Sequence, residues 1–162
     1  MQHNIAPVYD RNSKVLILGS FPSVKSREER FYYAHPQNRF WRVLAALLNC
    51  DVPDTIEKKL ACLHQNKIAL WDVIESCDID GSDDASIRNV VPNNLSRIID
   101  NADIKQIFTN GGTANKLYKK FCLPQTKLPA ARLPSTSPAN AGYRFDRLLE
   151  EWKIVANSLS ER

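Results

Sequence analysis

Three short segments of this chain are apolar on consecutive positions, not alternate ones. They are Lys14-Val15-Leu16-Ile17-Leu18, Lys67-Ile68-Ala69-Leu70-Trp71 and Ile104-Lys105-Gln106-Ile107-Phe108-Thr109. A strand with one face in water alternates apolar and polar residues. A strand that does not alternate is covered on both faces, and such strands belong to parallel sheets. Ala130-Ala131-Arg132-Leu133-Pro134 is a weaker fourth segment of the same kind. Helical stripes fall between and after these segments. Phe40, Val43, Leu44, Leu47 and Leu48 recur at helical spacing, as do Leu95, Ile98, Ile99 and Ala102, then Ala114, Leu117, Tyr118 and Phe121, and finally Phe145, Leu148, Leu149, Trp152 and Ala156. Asp54-Thr55-Ile56-Glu57 resembles a capping box with Asp54 in the cap position, followed by Ile56, Leu60 and Leu63 on one face. The alternation predicts an α/β fold: an open, four-stranded parallel sheet with helices on both faces. Functional groups in such folds gather at the carboxyl ends of the strands.

A length of 162 residues favours one domain over 1–162, and 43% hydrophobic with 25% charged residues is ordinary for a globular chain. No apolar run approaches the roughly 20 residues that cross a bilayer. The start, Met1-Gln2-His3-Asn4-Ile5-Ala6-Pro7, lacks the layout of a signal peptide. The expectation is a cytoplasmic monomer, nuclear in a eukaryotic source, with no membrane partner. Cys50, Cys62, Cys77 and Cys122 form no CxxC pair, so they are read as reduced and mostly buried thiols and no metal centre is expected. A net charge of +4 is mild support for a polyanionic partner. Both termini and the Ser/Asp-rich stretch 78–86 look disordered.

The strand ends hold the informative residues. The first ends in Gly19-Ser20-Phe21-Pro22-Ser23, and a polar stretch leads to Phe31-Tyr32-Tyr33-Ala34-His35-Pro36-Gln37-Asn38-Arg39-Phe40-Trp41. This aromatic and amide-rich run reads equally as a hydrophobic plug with Asn38 capping the following helix. The third strand runs through Asn110-Gly111-Gly112-Thr113 into a helix, which suits either an anion site or a tight turn. The fourth ends in Ser135-Thr136-Ser137-Pro138-Ala139-Asn140, whose hydroxyls can bind phosphate oxygens or cap the last helix.

Taken in order, Gly19–Ser23, Tyr33–Trp41, Leu70-Trp71-Asp72-Val73-Ile74 and Ser135–Asn140 give the chain a resemblance over roughly residues 13 to 155. It resembles the uracil-DNA glycosylase superfamily, and within it most of all the hypoxanthine-DNA glycosylase (DNA-deoxyinosine glycosylase) branch. It is also similar to mismatch-specific uracil-DNA glycosylases, which share the His-Pro-x-Asn-Arg-Phe-Trp run. The resemblance implies a three-layer α/β/α fold and an enzyme that hydrolyses the N-glycosidic bond of a deaminated or mismatched base in DNA, with no cofactor.

Two departures bear on which base is taken. Uracil-specific relatives carry a water-positioning Asp or Asn where this chain has Phe21, and a base-stabilising His where it has Ser135. The resemblance to the hypoxanthine branch moves the water-orienting role to Asn38. It makes Tyr33 the stacking residue and places Gly19, Ser20 and Phe21 around the base. Asp72 and Asn110 are alternatives, or partners, in reading the base edge, although Asp72 can equally cap a turn. Ser23, Ser135, Thr136, Ser137 and Asn140 are the expected DNA contacts, with Asn140 or Arg144 filling the gap beside the small Ala139. No lysine occupies a matching position, so simple hydrolysis without a Schiff base is expected. The competing readings are a non-catalytic nucleic-acid-binding module on the same fold and a nucleosidase for free nucleosides.

Overall fold

A computed structural model describes residues 5–160. The elements run β1 (Val15–Gly19), α1 (Val24–Glu29), α2 (Phe40–Leu48), α3 (Ile56–Gln65), β2 (Ile68–Asp72), β3 (Ile74–Asp78), β4 (Arg88–Pro92), α4 (Ser96–Ile99), β5 (Gln106–Asn110), α5 (Gly112–Phe121), α6 (Leu123–Thr126), β6 (Ala130–Leu133) and α7 (Phe145–Ser160). The four apolar segments form one sheet in the order β2-β1-β5-β6, and every pairing in it is parallel. All five residues of β1 and of β2 are buried. Side chains alternate between the faces of a strand, so complete burial means that helices cover both faces.

Register fixes where the strands end. Gly19 lies beside Asp72, Leu18 beside Thr109, and Asn110 beside Leu133. The carboxyl ends therefore stop at one level. Helix α2 packs on α7, and α7 packs on β1. Trp152 of α7 is fully buried, meets Phe40 edge-on at 5.9 Å, and donates from its indole N–H to the Pro134 carbonyl at 2.9 Å. One side chain thus ties the last helix to the start of α2 and to the end of β6.

Three expectations need correction. The cap of α3 is Thr55, whose hydroxyl accepts from Lys58 N–H at 3.1 Å, while Asp54 pairs with Lys58 on the surface. The cap thus lies one position nearer the helix, where the Thr55 hydroxyl satisfies the Lys58 N–H; a cap at Asp54 would have met that of Glu57. Between β2 and α4 the chain forms the antiparallel β3–β4 hairpin, which has no strong periodicity and two register shifts. Stretch 78–86, expected to be disordered, folds at the tip of that hairpin. Ser86 Oγ accepts from Asp80 N–H at 2.7 Å, Ser82 Oγ from Val24 N–H at 3.0 Å, and the Gly81 carbonyl from Arg27 at 2.7 Å. Polar residues satisfy this turn in place of a core. At the amino end Ile5 is buried and Val8 pairs with Leu70, and α7 continues to Ser160. Residues 1–4 and 161–162 of the termini lie outside the described residues. Cys62, Cys77 and Cys122 are buried, Cys50 is exposed, and all four are reduced.

Candidate active site

The level strand ends enclose a cavity of about 380 Å³. Gly19 from β1, Asp72 from β2, Asn110 from β5 and Ser135 beyond β6 all line it, as do Ser20, Phe21, Ser23, Tyr33, Asn38, Thr136 and Ser137. Among the residues expected at the site, Asn140 and Arg144 are the two that do not.

Asn38 sits in a turn wrapped around His35. The His35 carbonyl accepts from Asn38 N–H at 2.9 Å, and His35 Nδ1 accepts from Gln37 N–H at 3.1 Å. Asn38 Oδ1 in turn accepts from Phe40 N–H at 2.9 Å, at the start of α2, where Arg39 provides no side-chain cap. Helix capping and a site role are therefore compatible in one side chain. The capping bond fixes the amide of a residue that lines the cavity, and it uses neither Nδ2 nor the second Oδ1 lone pair.

Tyr33 occupies the left-handed region at φ 54. Its ring stacks on Phe40 with centroids 4.1 Å apart. Phe40 is completely buried and backed by Trp41 and Trp152, so one face of Tyr33 rests on a rigid aromatic wall. The Tyr33 hydroxyl is buried and has no hydrogen-bond partner among the described residues. Burial first, and Asp72 second, hold its pKa above the ordinary phenol value, while the nearby Asn110 amide opposes them.

Gly19 matters for what it lacks. A Cβ there would stand 2.6 Å from Asp72 Oδ1 and 3.3 Å from the Tyr33 hydroxyl. Both polar groups use the space of a missing methyl. Asp72 is 3% exposed, and burial, with the Asp84 charge second, pushes its pKa up to about 7. At neutral pH its carboxyl is divided between the two forms, able to accept from a base edge or donate to it. Unfolded, the group ionises near 3.8. The folded chain holds this proton more tightly, so stability falls as pH rises between those values and stays reduced above about 7. Asp72→Asn should therefore stabilise the protein at mildly alkaline pH, by an amount on the order of a few kcal/mol, and the gain should shrink toward acid pH. Thermal unfolding of both proteins across pH measures this. A difference that is constant with pH would show that Asp72 does not titrate in this range.

The Ser135–Asn140 loop is held from beneath. Thr136 is completely buried, its N–H donates to Asn110 Oδ1 at 3.1 Å, and its Oγ1 accepts from Asn110 Nδ2 at 3.0 Å. The hydroxyl of Thr136, expected on a phosphate, thereby latches β5 to the loop. The same two bonds engage both ends of the Asn110 amide. Ser23 is likewise taken up locally, as the cap of α1. Asn140, expected on DNA, donates to the Ser135 carbonyl at 2.9 Å. Ser135 and Ser137 accept backbone N–H groups of Ser137 and Ala139 through their Oγ atoms, which leaves their hydroxyl protons to donate outward. Gly111, at φ 99, admits Ser135 to 3.0 Å of the place of its missing Cβ, which accounts for this glycine as a tight turn.

Three residues escaped sequence reasoning. His35 lines the cavity but read as part of a plug. Asp84 comes from the hairpin tip and accepts from Ser20 Oγ at 3.1 Å. Arg39 joins two walls: its guanidinium donates to the carbonyls of Tyr143 and Asn140, and its backbone N–H donates to the Thr136 carbonyl. Neighbouring Asn38 is thereby tied to the serine loop. Arg39→Ala should cost about 1–3 kcal/mol, the scale for losing charge-assisted hydrogen bonds, measured by denaturant unfolding. Arg39→Lys should recover little of it, because one ammonium cannot reproduce the planar fork.

A family model described as the uracil DNA glycosylase superfamily matches residues 6–158. The chain belongs to this superfamily. It is 36% identical over 153 residues to a hypoxanthine DNA glycosylase of Methanosarcina acetivorans, covering 91% of this chain and 93% of that one. It is 37% identical over 107 residues to a hypoxanthine DNA glycosylase of Methanosarcina barkeri, covering 65% and 68%. Among solved structures, the solution NMR structure of a Methanosarcina acetivorans protein studied as a candidate uracil DNA glycosylase superposes with a TM-score of 0.84 at 32% identity, over 99% of both chains. The four-stranded parallel sheet flanked by helices is thus the superfamily's fold, and the cavity lies at the end of that sheet where such α/β folds bind ligands. No described helix is long and apolar enough to cross a membrane, and no group of metal-binding side chains occurs among the described residues.

Proposed function

We propose that this protein is a monofunctional DNA glycosylase that releases hypoxanthine from DNA by hydrolysis, the first step of base excision repair. The observation that carries this reading is the meeting of Asn38, Tyr33, Asp72 and Asn110 around one cavity in a chain related to hypoxanthine DNA glycosylases. A volume near 380 Å³ is in the range of small-ligand sites and suits a single flipped purine. The base leaves the duplex and stacks on the Tyr33 face opposite Phe40. Asp72 and the Tyr33 hydroxyl meet its polar edge. Asn38 is too weak a base to deprotonate water, so it orients the water at the anomeric carbon by hydrogen bonding. As the C–N bond breaks, the base gains negative charge and polar groups already in place stabilise it. Ser135 and Ser137 donate to flanking phosphates.

The test is a panel of labelled duplexes, each with one hypoxanthine, uracil, xanthine or G·T mismatch, incubated with the protein and then cleaved with alkali. Cleavage at hypoxanthine is expected. Tight binding without cleavage on any duplex would favour a non-catalytic module. Affinity for the hypoxanthine duplex should fall steeply from low to physiological salt, since phosphate contacts release counterions. A flat dependence, read by fluorescence anisotropy, would count against a DNA groove.

A further inference from the structure

The cavity has an unusual charge for a site that handles nucleic acid. Its described lining includes Asp72, Asp83 and Asp84 and no lysine or arginine. The three carboxyls reach it from two separate elements, the end of β2 and the tip of the β3–β4 hairpin. Asp84 is held in place by Ser20 at 3.1 Å, so its charge is fixed relative to the β1 loop. The other titratable groups facing it are Tyr32, Tyr33 and His35, and Arg27 grips the hairpin tip through the Gly81 carbonyl from outside the cavity lining. A second observation points to a polar ligand in this space, namely the buried Tyr33 hydroxyl that lacks a partner among the described residues.

An anion does not belong beside Asp72, Asp83 and Asp84, because like charges brought together cost several kcal/mol, so the phosphates are left to the Ser135–Ser137 side of the cavity. The lining suits an uncharged ring whose edge presents N–H donors to carboxylates. Hypoxanthine is such a ring. Xanthine differs from it by one oxo group, which acidifies the ring enough to make it largely anionic in DNA at neutral pH and above. Size and shape separate the two weakly, whereas charge separates them strongly.

We propose that the acidic lining is a charge filter that accepts neutral lactam bases and rejects anionic ones, with Asp84 as a specificity-determining residue. This rests on the glycosylase reading above. The effect is negative selection: the carboxylates penalise the wrong base more than they improve the right one.

The experiment is single-turnover release of hypoxanthine and of xanthine from duplexes otherwise identical, at mildly alkaline and mildly acidic pH, with wild type and Asp84→Asn. Asn keeps the shape and the acceptor for Ser20 and removes the charge, and unfolding midpoints check that the variant is folded. Wild type should release hypoxanthine at least roughly tenfold faster than xanthine at alkaline pH, given the cost of juxtaposed like charges. The ratio should narrow in acid, where the xanthine ring and the carboxyls take up protons. Asp84→Asn should narrow the ratio at alkaline pH by about tenfold. Equal release of the two bases by wild type would overturn the filter while leaving the glycosylase intact. A preference unchanged in folded Asp84→Asn would overturn the role of Asp84. Failure to release hypoxanthine at all would remove the functional reading beneath both.

Discussion

Asn38→Ala is expected to slow base release by roughly 10²-fold or more, the scale on which one preorganised polar contact acts in a transition state. Phe21 occupies the position where uracil-specific relatives keep a water-orienting group, and it is buried and apolar. Asn38 lines the same cavity, and its amide is already fixed by the bond from Phe40 N–H. Removing it frees one N–H at the start of α2, which costs about 1 kcal/mol as a lost cap. Stability and catalysis thus part company: a small shift in the unfolding midpoint, a large fall in the single-turnover rate. Binding of a hypoxanthine duplex should survive, since the contacts expected to hold the backbone lie in the serine loop. A variant with near-normal release would transfer the water-orienting role to Asp72 or Asn110.

Gly19→Ala is expected to be as damaging by a different route. The added methyl would meet Asp72 Oδ1 at 2.6 Å, closer than real contacts allow, and the Tyr33 hydroxyl at 3.3 Å. Asp72 is short and buried, so it has little room to swing aside, and its backbone carbonyl is held by Asn93 Nδ2 at 2.9 Å. Overpacking of this kind costs about 1–3 kcal/mol. The functional loss should exceed what that implies, because the two groups proposed to meet the base edge move together and a displacement near 1 Å can cost about 10²-fold in rate. The signature is a folded protein, checked by thermal melting, with release reduced on the order of 10²-fold. Asp72→Ala in the Gly19→Ala background would remove the nearer clash. Restored stability without restored release would show that the methyl acts through Asp72.

The sheet was legible because burial on both faces erases alternation, a signal that survives in the sequence of β1, β2 and β5. Their ends were legible for the same reason, so Gly19, Asp72, Asn110 and Ser135 could be placed together without knowing any contact. The β3–β4 hairpin was not legible. Ile74–Asp78 is buried at Ile74 and Cys77 only, and Arg88–Pro92 has no buried residue, so neither gives an apolar run or a clean period of two. Asp84 went unseen with it: an aspartate in a polar, exposed turn carries no sign in the sequence that the turn folds onto Ser20. Thr136 illustrates a different limit. Three adjacent small hydroxyls are chemically alike, and only the position of Asn110 determines which one turns inward. Arg39 stood in the motif itself, yet its partners are carbonyls about a hundred positions away, and a carbonyl carries no sequence signature.

The sheet order has a consequence for how the chain is made. Strand β1 is the first to leave the ribosome, yet it lies inside the sheet, between β2 and β5. Its partners begin at Ile68 and Gln106. Until the second of these has been synthesised, an entirely apolar strand has at least one open edge, and unpaired edges are templates for pairing with other chains. Nascent chains stalled before β5 should therefore depend on chaperones and aggregate when released without them. Chains stalled after β6 have that edge closed, and all four strand ends that build the cavity are then present.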